Sequence, residues 1–152
     1  MTRVLCGVGF ATLLLCWLAA GPALAEDIGQ VKITSGTTRI ERGGHAVPVQ
    51  VGTQVREGDV LVTGPGGSLG IAFRDNSLLS LGPDTVLAID RYVFDPTTHQ
   101  GAFDSSLRQG TLSAVSGKIA KQTPDAMKVR TPVAILGVRG TEFVVRTASA
   151  AN

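Results

Sequence analysis

The chain has 152 residues, 14 basic and 12 acidic side chains, a net charge of +2, and 43% hydrophobic but only 5% aromatic residues. So even a balance offers no cluster of cations for a phosphate backbone, and nucleic acid is not an expected partner. The 19 Gly and 7 Pro are spread along the chain and leave no room for long helices, which excludes bundles, coiled coils and most α/β enzymes.

At the start, the α-amine and Arg3 precede an uncharged run from Val4 to Leu24, which ends in Ala23-Leu24-Ala25 before the acidic Glu26-Asp27. This pattern predicts a secretory signal peptide over residues 1–25, cut between Ala25 and Glu26. The competing reading is an uncleaved anchor, because the run is long enough to cross a hydrocarbon core. Helix-breaking Gly21-Pro22 just ahead of the small residues favours cleavage, after which no stable membrane span is expected. Both cysteines, Cys6 and Cys16, lie inside this leader. The exported part therefore has no disulfide and no thiolate metal site, and no cofactor is expected. Leu5 and Leu15 stand where a lipoprotein signal needs a small residue, which argues against a lipid anchor.

From Ile28 onward short alternating segments dominate. Val31/Ile33 come first, then Val47/Val49/Val51 after a Gly43-Gly44 turn, with Pro48 marking an edge strand or bulge. Val60 to Val62, Leu69/Ile71/Phe73, Leu79/Leu81 and Val86 to Ile89 follow, separated by Gly64-Pro65-Gly66-Gly67, Arg74-Asp75-Asn76 and Gly82-Pro83-Asp84. Arg91 to Phe94 leads into the polar loop Asp95 to Gly101. Phe103 to Leu107, Thr111 to Val115, Met127 to Thr131 and Phe143 to Val145 read as further strands. Lys118 to Asp125 reads as a polar link, and periodicity cannot assign Pro132 to Val138. The expected fold is all-β, a short-stranded two-sheet sandwich or a β-solenoid-like domain. Residues 26–51 are expected to supply N-terminal strands packed on a domain over 52–147, with a frayed tail at 148–152.

Four stretches in order resemble the FecR domain family. They are Gly58-Asp59-Val60-Leu61-Val62-Thr63, Phe73-Arg74-Asp75-Asn76-Ser77 through Thr85, Leu107-Arg108-Gln109-Gly110-Thr111-Leu112, and Thr131-Pro132-Val133-Ala134 with Gly140-Thr141-Glu142-Phe143-Val144-Val145. Each motif also has a local structural reading. Gly58-Asp59 suits a turn entering a strand, with the Asp carboxylate bonding N–H groups two residues on. Where the family usually has Asp-Gly-Ser this chain has Asp75-Asn76-Ser77, and Asn tolerates positive φ well. Thr131-Pro132 enforces an extended backbone, and Gly140 suits a bulge or close approach.

The resemblance implies a periplasmic regulatory domain of the bacterial envelope. Its best-known relatives place a cytoplasmic anti-sigma region before one transmembrane helix. Here three residues precede the apolar run, so a sigma factor is not an expected partner, and the resemblance implies an exported stand-alone domain that binds a protein or envelope component. It also implies one chemical alternative. Some relatives are thought to cleave themselves at a Gly-Thr pair, where the Thr141 Oγ would attack the Gly140 carbonyl.

Other reactive patterns are weak. Gly66-Gly67-Ser68-Leu69-Gly70 matches the nucleophile elbow of hydrolases, but a strand follows it where a helix is needed. His45 and His99, with Asp95 or Asp104, form no fixed-spacing metal motif. Asp75, Asp84, Asp90 and Asp125 sit singly near turns, where Asp caps backbone groups, and an envelope hydrolase would need a carboxylate pair assembled by the fold. Phe73, Tyr92, Phe94, Phe103 and Phe143 read as core, with Tyr92 the sole candidate sugar platform. Arg39, Arg42, Arg56, Arg74 and Arg91 read as a solvated face. The expectation is a non-enzymatic module that binds through an edge strand or the Asp95 to Gly101 loop.

Overall fold

The computed structural model describes residues 25–140 and 142–148. The expected leader lies outside them except for Ala25, which with Glu26 is exposed just ahead of the first strand. The described chain is nearly all β. Its strands are β1 (Asp27–Ser35), β2 (Thr38–Arg42), β3 (His45–Pro48), β4 (Gln54–Arg56), β5 (Val60–Thr63), β6 (Ser68–Phe73), β7 (Leu78–Leu81), β8 (Val86–Phe94) and β9 (Gly101–Val115). A one-turn helix, α1 (Lys118–Gln122), precedes β10 (Met127–Arg130), β11 (Ile135–Val138) and β12 (Glu142–Thr147). No described helix is long and apolar enough to cross a membrane.

The strands form one twelve-stranded sheet whose main path runs β3-β2-β5-β8-β9-β7-β6-β1-β4, with β10 and β12 also on β9 and β11 on β10. Every pairing is antiparallel except that of β9 with β10. A β-solenoid stacks parallel strands instead. Register exposes a simpler plan. β1 and β2 lie in line against β6 and β5; those lie in line against β7 and β8; and β7 and β8 lie in line against the two halves of β9. Each long segment thus crosses one common crease and contributes to both wings of the sheet.

The crease passes through Gly36, the Gly64 to Gly67 turn, the Gly82 to Thr85 turn and Gly110. Backbone hydrogen bonds continue across it, from Gly64 N–H to Thr37 O (2.8 Å), Asp84 N–H to Gly64 O (3.2 Å) and Gly82 N–H to Thr111 O (3.0 Å). Gly110 has φ +94°, and a Cβ there would lie 2.2 Å from Thr85 Oγ1 and 2.5 Å from Thr85 Cα, so only glycine fits. The bend also explains why β9 reads as two strands in sequence. Its buried positions are Phe103, Ser105 and Leu107 before Gly110, then Leu112 and Ala114 after it. The alternation changes parity at the bend, so each half keeps its apolar face inward.

Folding along the crease curls the sheet into a half-barrel and brings the far ends of the wings together. There Phe73 meets Phe103 (ring centroids 4.7 Å apart), and Tyr92 packs on Phe103 at 5.1 Å and Phe73 at 5.6 Å. The Lys118 to Asp125 stretch is not merely a polar link: α1 buries Ile119 and Ala120 against this end. The apolar run after Pro132 resolves as β11, hairpinned on β10. β3 stops at Pro48, short of the alternation that extends to Val51.

Candidate functional site

Two buried carboxylates organise the family-like motifs. Asp59 follows Gly58 (φ +84°) and is fully buried. It accepts hydrogen bonds from Arg42 Nε (2.8 Å), Arg42 Nη2 (2.7 Å) and the Arg56 N–H (2.8 Å). The bonded amide therefore lies three residues back rather than two ahead. Arg42 also donates from Nη2 to Gln54 O at 2.9 Å, and its bond to Asp59 holds its guanidinium proton more tightly than usual. Arg42 thus joins β2 to the β4–β5 turn instead of belonging to a solvated face.

Asp75 is the second node, also fully buried. One oxygen accepts from Ser77 N–H (3.1 Å) and the Tyr92 hydroxyl (3.2 Å); the other accepts from Ser77 Oγ (2.7 Å) and the Ile119 N–H (3.4 Å). The Tyr92 oxygen accepts the Asp75 N–H in return (2.9 Å), and Ser77 Oγ accepts the Gly117 N–H (3.0 Å). Asn76 takes φ +67° between them, as its place in the turn predicts. A Cβ on Gly117 would lie 2.3 Å from Asp75 O, so the start of α1 can sit on this turn only as glycine. Burial, then the Asp75 charge, pushes the Tyr92 phenol well above its ordinary range. At 6% exposure Tyr92 is no sugar platform.

The reactive candidates do not assemble. Ser68 opens β6, and β5 and β6 lie in different wings, so the Gly66 to Gly70 stretch is a crossing of the crease and not a hairpin turn. His45 is exposed at the start of β3. His99, at φ +59°, stacks on Phe94 with centroids 6.2 Å apart. Asp95 accepts the Thr97 and Thr98 N–H groups, which hold its carboxyl below the usual range and fold the loop on itself. Asp90 accepts from Ser106 Oγ, Asp104 is paired in register with Arg91, and Asp84 and Asp125 take positive φ. Among the described residues no three His, Cys, Asp or Glu side chains gather as a metal site. Gly140 has φ +54°; Thr141, the proposed nucleophile, lies outside the described residues.

What the fold does expose is an apolar C-terminal border. Thr131 and Pro132 shape the β10–β11 turn, where Thr131 N–H donates to Ala134 O at 2.8 Å and Thr131 Oγ accepts the Ala134 N–H at 3.0 Å. This turn lifts Val133 to 92% exposure, with Ile135 at 67% beside it. Leu136, Phe143 and Val145 line a cleft of about 260 Å³ between β11 and β12. A second cleft, of about 360 Å³, runs from Pro132 and Val133 to Val145 and Ala148. The sequence left Pro132 to Val138 unassigned, because a short apolar run reads the same whether it is buried or displayed.

A protein-family model described as FecR protein matches residues 59–152. No curated protein and no solved structure matches the chain.

Proposed function

Because this chain belongs to the FecR protein family, we propose that it is a non-enzymatic regulatory module of the bacterial envelope that binds a protein partner through the β10–β11 hairpin. The observation that carries this reading is Val133, almost wholly exposed at a turn held rigid by Thr131, with Ile135 beside it and two apolar clefts below. A soluble domain rarely displays so continuous an apolar border without something to cover it. The internal carboxylates serve the scaffold: Asp59 ties β2 to the β4–β5 turn, and Asp75 ties the β6–β7 turn to Tyr92 and to α1, which leads into the hairpin. Export through the leader is part of the same reading, supported by the exposure of Ala25 and Glu26 ahead of β1. The two wings then serve as the layers of a small sandwich, with the hairpin at its border.

The test places a photo-crosslinking residue at Val133 and, as a control, at Val51, another strongly exposed apolar position, in the protein expressed in cells. A discrete adduct is expected from position 133 only, and it should vanish when Ile135→Ser is added while circular dichroism is unchanged. Equal labelling from both positions, or an adduct indifferent to Ile135→Ser, would refute the assignment. Intact mass of the envelope protein should begin at Glu26; a full-length species would refute export by cleavage.

A further inference from the structure

Among the described residues the sheet has four border strands, β3, β4, β11 and β12, and three of them carry devices that discourage pairing. β3 contains Pro48, β4 has three residues, and β11 has four with Gly137 among them. β12 has six residues, pairs with β9 on one side, and has no strand on its other side among the described residues. It contains no proline, lysine or bulge, and the centre of its outer face is Val144 at 66% exposure. An unprotected edge of this kind is a template for another strand.

The sequence of β12 says which strand fits. Its outer face reads Glu142, Val144, Arg146, and its inner face Phe143, Val145, Thr147. In an antiparallel pairing centred on Val144, Glu142 stands opposite Arg146 of a second copy and Arg146 opposite Glu142 of that copy. On the other face Phe143 stands opposite Val145 of the copy, an aromatic side chain on a β-branched one. Both are favourable cross-strand combinations. A two-fold axis through Val144 therefore satisfies charge and packing on both faces at once, as an isologous contact requires. The charges are also free to do this. The Glu142 carboxylate makes no hydrogen bond or ion pair among the described residues, and the Arg146 side chain commits only its Nε, to Thr111 Oγ at 3.1 Å.

We propose that β12 is a homodimerisation edge, at which two copies of this chain join their sheets antiparallel about Val144. The contact is one strand wide, so the dimer is reversible and concentration-dependent. It does not depend on the hairpin reading: the ladder shares Phe143 and Val145 with the clefts beneath the hairpin, but Val133 and Ile135 take no part in it.

Sedimentation equilibrium of the protein purified from the envelope tests it by charge exchange. Wild type should show a reversible monomer–dimer equilibrium. Glu142→Arg alone places Arg opposite Arg146, and Arg146→Glu alone places Glu opposite Glu142; each fault occurs twice per dimer and should weaken association about tenfold or more. An equimolar mixture of the two variants restores both opposite-charge pairs and should recover wild-type association as a heterodimer. Val133→Ser with Ile135→Ser should dimerise normally, which separates this proposal from the hairpin's partner. A wild type that stays monomeric at the highest concentration reached, single variants that associate like wild type, or a mixture that fails to recover would each overturn the proposal. A cross-link from position 144 to a different envelope protein in place of a second copy would also overturn it.

Discussion

Replacing Tyr92 with Phe removes one oxygen that serves two hydrogen bonds. The hydroxyl donates to Asp75 Oδ1 at 3.2 Å and accepts the Asp75 N–H at 2.9 Å, in a setting only 6% exposed. The variant loses a bond to a carboxylate and strands a buried amide, for a cost of about 2 to 4 kcal/mol. The same oxygen sets a pH dependence. Burial and the Asp75 charge raise the phenol's pKa in the folded state, so folding favours the neutral form. Below about pH 10 the phenol is neutral in both states and its contribution is fully present. Above that the unfolded chain loses the proton while the folded one keeps it, and stability falls by about 1.4 kcal/mol per pH unit. Urea unfolding at several alkaline pH values should show this slope in wild type and lose this component in Tyr92→Phe. The chain has a single Tyr, so phenolate absorbance reports this group alone and should appear only on unfolding. Phenolate forming near pH 10 in the folded protein, or a variant within about 0.5 kcal/mol of wild type, would refute the reasoning.

Asn76→Gly should be neutral or slightly stabilising at φ +67°, whereas Asn76→Val should cost about 1 to 2 kcal/mol by urea unfolding. Gly110→Ala meets Thr85 Oγ1 and Cα at 2.2 and 2.5 Å in a left-handed conformation and should cost about 3 kcal/mol or more, read as a lowered thermal midpoint. Arg42→Ala leaves the wholly buried Asp59 with only the Arg56 amide. Since Arg42 itself is 30% exposed, the cost should be about 2 to 3 kcal/mol, short of that for a fully buried pair.

Much of the strand pattern was legible because inner faces alternate: Leu69, Ile71 and Phe73 announce β6, and Leu79 and Leu81 announce β7. The turn at Asp75-Asn76-Ser77 was legible too, since only a residue tolerant of positive φ serves at its centre. What escaped is tertiary. That Asp75 would bond the Tyr92 hydroxyl and the Ile119 amide depends on both wings being folded, and no local spacing encodes it. Asp59 turned back to Arg56 and across to Arg42 because the β4–β5 turn closes over it. β9 looked like two strands because a parity change at Gly110 resembles a turn when read along the chain. Ile119 and Ala120 hid among Lys118, Lys121 and Gln122, too few apolar residues to show a helical period. For the site, the sequence named an edge strand or the Asp95 loop without saying which edge; the exposed apolar border lies on the edge strands β11 and β12 and the turn at Val133, and not on the Asp95 loop.

The glycine-lined crease has a consequence for how this protein comes into being. Since each long segment serves both wings, and β9 runs through the crease as one strand, a wing formed alone would leave half of every such segment unpaired. Folding must therefore wait for partners distant in sequence, and a topology of that kind orders slowly and in one cooperative step. Until the bend closes, the strands present bare edges and apolar faces. The chain passes through this interval each time it is made, so its exposure to aggregation is set by how quickly the bend closes rather than by the stability of the finished sheet.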